Sequence, residues 1–162
     1  MTSMPGLMNR RTALLPLLVL LAGCLGDEAI TDPKELTFSP ELGVNLSAMT
    51  LNPSGLYWQD QVVGTGPVVA TVGSSVTVDY TGWLHTGRQF DSSAGKPPFT
   101  ILSLGSGEVI PGWDEGLMGM RAGGRRLLVI PPHLGYGSSS AGIIPPYATL
   151  VFRVDMKSVA AR

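Results

Sequence analysis

The chain has 162 residues, 44% of them hydrophobic and 14% charged, with a formal net charge of −1 at pH 7. A near-neutral chain offers no broad basic surface, so we predict no nucleic-acid partner. The length suffices for one globular domain, and the single cysteine, Cys24, excludes an internal disulfide.

The first 23 residues have the plan of a secretory signal peptide. Arg10 and Arg11 are the only charges before an apolar run over residues 13–22, and small residues follow that run. A membrane-spanning helix needs about 20 apolar residues, and Pro16 interrupts a shorter run here. We therefore predict a signal peptide over residues 1–23 and no membrane span.

Residues 21–24 read LAGC and resemble the bacterial lipobox, whose cysteine becomes the lipid-modified first residue of the mature chain. The alternative is an ordinary signal peptide with an incidental cysteine, but the only cysteine lies where the motif requires it. Several acyl chains, each gaining roughly 0.8 kcal/mol per buried CH₂, form a stable anchor. We predict lipidation of Cys24 and, from Leu25 behind it, the periplasmic side of the outer membrane if the source is diderm.

Residues 24–54 contain the lipidated cysteine and, by their composition, a flexible tether. Acidic side chains outnumber Lys34, and Pro33 and Pro40 stand among Thr, Ser and Asn without hydrophobic periodicity. A partner-binding tail is the alternative, and no motif supports it. We place the start of the folded domain, residues 55–162, after this segment.

Four strands and one helix are predicted within residues 55–162. Residues 57–63, 76–81, 125–130 and 150–157 have strand character, and in the last of these apolar residues alternate with Arg153, Asp155 and Lys157. The helix begins at Pro111, carries Asp114 and Glu115 in its first turn and stops near Gly119. Its Trp113, Leu117 and Met118 share one face. A single short amphipathic helix must bury that face against the sheet.

Hydrolytic, metal-dependent and nucleotide-dependent chemistry find little support in the sequence. It has no G-x-S-x-G elbow, no H-x-x-x-H or C-x-x-C spacing and no Walker loop. The two histidines, His85 and His133, lie in turn and loop sequences, where we expect solvated side chains. We predict no metal and no cofactor.

Three segments, taken together, are similar to one known family. They are VDYTGWLHTGRQFDSS at 78–93, EVIPGWDEGL at 108–117 and GIIPPYATLVFRV at 142–154. In this order they resemble the FKBP-type peptidyl-prolyl cis-trans isomerases, the macrolide-binding immunophilins. The resemblance extends from about residue 55 to residue 156. It implies an α+β fold, a strongly twisted antiparallel β-sheet wrapped around one short α-helix.

The resemblance also implies an aromatic pocket with Trp113 beneath the proline ring of the substrate. The Ile110 N–H and the Tyr136 hydroxyl would donate to substrate carbonyls, and Asp91 would be the pocket carboxylate. The implied catalytic residues are Tyr80, Phe90, Asp91, Trp113 and Tyr136. The implied substrate-binding residues are Phe99, Val109, Ile110, Ile144 and Phe152.

Three loops at the pocket rim depart from the common family pattern. Residues 99–105 are one residue longer, residues 137–142 are about one residue shorter and lack a histidine, and residues 92–96 are abbreviated. These departures bear on the placement of Phe99, on substrate choice and on macrolide affinity rather than on the reaction itself.

The function implied is a peptidyl-prolyl isomerase that accelerates X-Pro isomerisation during the folding of exported proteins. The alternative is a non-catalytic prolyl-peptide binding or chaperone module on the same fold. The expected partners are proline-containing polypeptides of the cell envelope, macrolide inhibitors and, through the lipid anchor, the membrane. We expect a monomer.

Overall fold

A computed structural model describes residues 32–161. The predictions for residues 1–23 and for Cys24 lie outside the described residues. Within 32–161, no helix is both long enough and apolar enough to cross a membrane.

In residues 32–161 the fold is built on one antiparallel sheet of seven strands in the order β1-β2-β6-β7-β3-β4, with β5 pairing beside β4 on β3. All four predicted strands are present, and the third matches its predicted bounds. The predicted segment 76–81 is part of a longer strand that continues to Leu84. The strands are β1 Thr50–Leu51, β2 Tyr57–Val62, β3 Ser75–Leu84, β4 Gln89–Ser92, β5 Phe99–Ile101, β6 Arg125–Ile130 and β7 Leu150–Ala160.

One α-helix, α1 (Pro111–Gly116), packs on one face of the sheet. Its contact with β6 is close because two glycines face the strand. A Cβ added at Gly112 would lie 2.5 Å from Ile130 Cγ2, and one at Gly116 would lie 2.8 Å from Leu128 Cδ2. Trp113 and Leu117 are buried in the main core, as the helix pattern predicts. The predicted sheet around one short helix is therefore confirmed.

The opposite face of the sheet is covered by residues 32–54, which we call the strap. Three short 3₁₀ helices (Pro33–Glu35, Pro40–Leu42 and Leu46–Ala48) lead into β1, which pairs with β2. Leu42 and Met49 are buried in a second apolar cluster with β2, β6 and β7 residues. From residue 32 onward the prediction of a flexible tether is thus wrong, and the strap belongs to the folded domain.

The sequence pattern misses the strap for a physical reason. Its 3₁₀ turns and extended pieces bury one apolar side chain at a time, so neither a 3.6-residue nor a 2-residue period arises. The covered sheet does carry a signal, because five of the six β6 residues are buried. A strand with such a continuous buried run is covered on both faces.

Both histidines hold the strap in place. His85 Nδ1 lies 3.1 Å from the Thr37 carbonyl oxygen, and His133 Nε2 lies 2.8 Å from the Ser54 carbonyl oxygen. A carbonyl oxygen only accepts, so each of these ring nitrogens carries its hydrogen. The two side chains thus have structural partners in the fold. His133 is also exposed, as we expected, whereas His85 is partly buried.

Candidate active site

An open cavity of about 740 Å³ lies between α1 and the inner face of the sheet. β3, β4, β5, α1 and β7 each contribute a side chain, and loops complete the rim. All ten residues predicted from the sequence line this one cavity. They are Tyr80, Phe90, Asp91, Phe99, Val109, Ile110, Trp113, Tyr136, Ile144 and Phe152. The structure brings the set together, and the individual roles remain predictions.

The floor of the cavity is the indole of Trp113, of which 4% is exposed. Three aromatic rings meet it edge to face, with centroid distances of 5.1 Å for Tyr80, 6.1 Å for Phe99 and 5.2 Å for Phe152. Edge-to-face contacts of this kind contribute about 0.5–1.5 kcal/mol each beyond buried area. The result is an apolar, concave surface that these ring contacts hold in place.

Phe90 and Asp91 both line the cavity although they are consecutive residues on β4. In a regular strand neighbouring side chains point to opposite faces. Here the register shifts, since Gly82 pairs with Asp91 and the next β3 residue, Trp83, pairs with Gln89. The bulge leaves Phe90 without a pairing partner and turns its side chain to the same side as Asp91.

The Asp91 carboxylate is held by Tyr80. The Tyr80 hydroxyl donates to Asp91 Oδ2 at 2.6 Å, and the Ser92 N–H donates to Asp91 Oδ1 at 2.8 Å. The hydrogen bond from Tyr80 lowers the pKa of Asp91 below its ordinary value of 3.8, against the opposing effect of burial. Burial, followed by the bond to Asp91, raises the pKa of Tyr80 to about 12. At neutral pH the site therefore contains a carboxylate and a neutral phenol.

Lys96 adds a weak contact to this pair, with Nζ 3.4 Å from Asp91 Oδ1. The Lys96 side chain is 64% exposed, so solvent screens most of its attraction. Tyr80, rather than Lys96, therefore orients the carboxylate.

The two donors predicted for substrate carbonyls are both at the cavity. Ile110 directly precedes α1 in an extended conformation (φ −58°, ψ 145°), and no hydrogen bond within residues 32–161 involves its N–H. Tyr136 is 41% exposed, and its hydroxyl has no bond to another described residue. Both groups are thus free to donate to a bound peptide.

Four lining residues were not predicted, and they are Glu108, Ala141, Gly142 and Ile143. Glu108 accepts the Leu102 N–H at 3.0 Å and so holds the loop after β5. Its place in the EVIPGW segment could have revealed it. Ile143 is 42% exposed at the rim, and an isoleucine next to Ile144 on a loop was the available signal for it.

The class of protein is defined by this fold together with a preformed aromatic cavity whose described residues include no nucleophile–base pair. Such a cavity suits selective binding of a strained rotamer rather than covalent chemistry. The family model for FKBP-type peptidyl-prolyl cis-trans isomerases matches residues 66–157. The chain belongs to this family, and its enzyme class is peptidyl-prolyl cis-trans isomerase.

Individual relatives agree with this assignment. An FK506-binding protein of Neisseria meningitidis serogroup B is 48% identical over 106 residues, which are 65% of this chain and 96% of that protein. FK506-binding protein 2 of Yarrowia lipolytica is 48% identical over 91 residues, 56% of this chain and 63% of that protein. The crystal structure of FkpA from Escherichia coli superposes with a TM-score of 0.62 at 38% identity, covering 69% of this chain and 51% of that one. AtFKBP13 gives a TM-score of 0.63 at 40% identity, with 69% and 98% covered.

Proposed function

We propose that this isomerase accelerates X-Pro isomerisation in exported proteins as they fold in the bacterial cell envelope. The observation that carries the catalytic part is the Trp113 floor, enclosed by three aromatic rings and flanked by the Asp91–Tyr80 pair. The signal sequence and lipobox at residues 1–24 support the envelope setting.

The proposed mechanism is binding of the twisted amide. The planar amide before proline rotates over a barrier of roughly 18–20 kcal/mol, and uncatalysed exchange takes roughly 10–100 s. Twisting removes the conjugation and leaves a less polar carbonyl and a more pyramidal nitrogen. An apolar cavity accommodates that rotamer better than water does, and only interactions that strengthen in the transition state raise kcat.

Each group of residues has a part in this mechanism. Trp113 supports the proline ring, while the Ile110 N–H and the Tyr136 hydroxyl donate to carbonyls of the bound peptide. Asp91, kept ionised by Tyr80, presents a fixed negative field beside the amide. No step transfers a proton, which gives a pH test.

We expect kcat/KM on an X-Pro peptide to stay within about twofold from pH 5 to pH 9, since proton transfer is what makes rates follow a pKa. The lowered pKa of Asp91 places its titration below this window, and the raised pKa of Tyr80 places its titration above it. The same shifts predict that Asp91 stabilises the fold at neutral pH and loses this contribution as the pH falls through its folded-state pKa. Tyr80 loses its contribution as the pH rises through about 12. A protease-free peptide assay measures the rate at each pH, and circular dichroism in parallel measures the stability of the fold.

Asp91→Asn is the companion variant for the pH experiment. It keeps the shape and removes the charge, and we expect a measurable residual rate with the same flat profile. A bell-shaped profile, or complete inactivity of folded Asp91→Asn, would show that acid–base chemistry is essential.

Attachment through Cys24 would hold the domain close to the membrane. The strap is already folded at its first described residues, and seven residues, 25–31, separate it from Cys24 along the sequence. Seven residues span at most about 25 Å when fully extended. The proposed monomer would then act on polypeptides within a few nanometres of the membrane surface.

Cys24→Ser should abolish lipidation, because the serine hydroxyl cannot take the place of the thiol that accepts the lipid. We expect mass spectrometry of the wild-type mature chain to find a lipidated Cys24 at its N-terminus. The serine variant should be found unprocessed or released without lipid. Cleavage elsewhere, with Cys24 unmodified in the wild type, would contradict the anchor.

The alternative function, prolyl-peptide binding with little turnover, has one observation in its favour. Phe99, Tyr136 and Ile143 leave apolar surface exposed at the rim, each at about two-fifths of its area. Such a rim would also hold apolar segments of an unfolded chain. Refolding of a substrate limited by proline isomerisation separates the two functions, since only an isomerase shortens the slow phase at substoichiometric concentration.

A further inference from the structure

Helix α1, which carries the pocket floor, is joined to the strap by a polar contact on the side of Glu115. Asn52 Nδ2 donates to Glu115 Oε1 at 2.5 Å, and Ser54 Oγ donates to the same oxygen at 2.7 Å. Glu115 lies two residues after Trp113. Asn52 and Ser54 precede residue 66, where the match to the family model begins.

The contact continues to the backbone at the C-terminal end of the helix through a cation–π contact. Trp58 Nε1 donates to Asn52 Oδ1 at 3.0 Å, and the Arg126 guanidinium lies 4.1 Å from the centroid of the Trp58 ring. Arg126 Nη1 donates to the carbonyl oxygens of Gly116 and Met118, each at 2.8 Å. These are carbonyls at the C-terminal end of α1, which a cation caps favourably.

Arg126 is itself fixed. It is 5% exposed and makes a two-pronged ion pair with Asp60, with distances of 2.7 Å and 3.0 Å. A bidentate guanidinium–carboxylate pair has a defined geometry, so Asp60 fixes the position of the Arg126 side chain as well as balancing its charge. Strap, β2, β6 and helix therefore form one connected polar network.

The helix needs such anchors. Six residues are too few for a helix to be stable by itself. Its two glycines bring it close to β6. A glycine, however, has no side chain that could interlock with the strand and so prevent the helix from sliding along its axis or rotating about it. Asp114 accepts the Gly105 and Gly107 N–H groups and so holds a loop, while Glu115 is the link to the strap.

We propose that Asn52 and Glu115 are positioning residues for prolyl isomerisation, by which the strap fixes helix α1 and so the Trp113 floor. The contact requires a hydrogen-bond donor and an acceptor at defined positions of the side chain at residue 52. The Trp58 indole N–H only donates, so the Asn52 oxygen faces it and the Asn52 amide group is left to face the carboxylate. An amide at position 52 satisfies both neighbours, whereas a carboxylate or an alkyl group does not.

The polarity can be reversed to test the proposal. In Asn52→Asp two carboxylates face each other, and we expect kcat/KM to fall about tenfold, since a misplacement near 1 Å can cost about 10²-fold. In the double variant Asn52→Asp with Glu115→Gln, the new amide at position 115 donates to the new carboxylate at position 52. That carboxylate still accepts from Trp58. In the wild type Asn52 and Ser54 both donate to Glu115 Oε1, so the amide nitrogen takes the place of that oxygen in the double variant, and the Ser54 hydroxyl accepts its second hydrogen. Activity should return to within about threefold of wild type.

Glu115→Gln alone is the matched single variant for the reversal. The side chain introduced at position 115 keeps an oxygen that accepts from both Asn52 and Ser54, so the contact survives without its charge. We therefore expect kcat/KM to stay within about twofold of wild type.

A second readout reports on the helix without turnover. The chain has three tryptophans, so its indole N–H signals are resolvable by NMR, and Trp113→Phe assigns the one at the floor. We expect this signal to shift in Asn52→Asp and to return in the double variant. If Asn52→Asp fails to fold, Asn52→Ala serves in its place, with the same direction of change and a smaller loss of about threefold.

Met49→Ala is the matched control, because it loosens the strap in the second apolar cluster without touching α1. It should lower the melting temperature and leave both kcat/KM and the Trp113 signal unchanged below that temperature. The proposal is overturned if Asn52→Asp keeps wild-type activity and signal, if the double variant restores neither, or if Met49→Ala moves both. An inactive wild type would contradict the enzyme function and leave the NMR comparison as the test of positioning.

Discussion

We expect the free energy of unfolding to be at least about 3 kcal/mol lower for a chain that begins at Gly55 than for a chain that begins at Asp32. The shortened chain lacks Leu42 and Met49, which are buried against the sheet, and full burial of such side chains contributes about 1.5–3 kcal/mol each. It also exposes the outer faces of β6 and β7, where Val129 and Val151 are fully buried. Since the total free energy of unfolding of a small domain is only about 5–15 kcal/mol, this loss is a large fraction of the stability.

Urea unfolding of the two purified chains, followed by far-UV circular dichroism, measures the difference. Point variants in the longer chain locate it: Met49→Ala should cost about 2–4 kcal/mol, and exposed Ser47→Ala on the same strap should cost under about 0.5 kcal/mol. Equal urea midpoints for the chains that begin at residues 32 and 55 would mean that the strap contributes nothing to folding.

The sheet could be predicted where a strand has one solvent-exposed face and one buried face. In β7, Val154 and Met156 are buried while Arg153 and Lys157 are exposed, as their alternation predicts. The strap could not be predicted, because its burial depends on a sheet face that the remote strands β6 and β7 supply. Val151, which breaks the alternation in β7, is the position at which the strap meets that strand.

The cavity residues could be predicted because they fall in short contiguous motifs that the family resemblance carries. Their connections could not. The Tyr80–Asp91 bond depends on the bulge between β3 and β4, and the Asn52–Glu115 bond joins residues 63 positions apart. Nothing in the strap marks Asn52 as different from any other polar residue until the helix is placed beside it.

Gly82→Ala should damage two walls of the cavity at once. Gly82 on β3 pairs directly with Phe152 on β7, and the rings of Phe90 and Phe152 lie over its backbone, 5.4 Å apart between centroids. An added Cβ would lie 2.6 Å from Phe152 Cε1 and 2.7 Å from Phe90 Cζ. Both rings must move, and overpacking of this kind costs about 1–3 kcal/mol.

The substitution should lower activity as well as stability, since Phe152 also meets the Trp113 floor, so its displacement disturbs three sides of the cavity. We expect kcat/KM to fall by at least about tenfold, equivalent to about 1.4 kcal/mol in the barrier, in protein that is still folded at the assay temperature. Thr77→Ala on the same strand, whose hydroxyl meets only Thr100 near the surface, is the control and should leave kcat/KM unchanged.

Phe90→Leu removes one of the two obstructing rings and separates a steric cause from a backbone one. If the added methyl acts by contact, Gly82→Ala should cost less stability in the Phe90→Leu background than in the wild type, with a coupling of about 0.5–3 kcal/mol. Additive effects of the two substitutions would show that the Phe90 ring has no part in the damage. The contact with Phe152, the nearer of the two rings, would then be its steric cause.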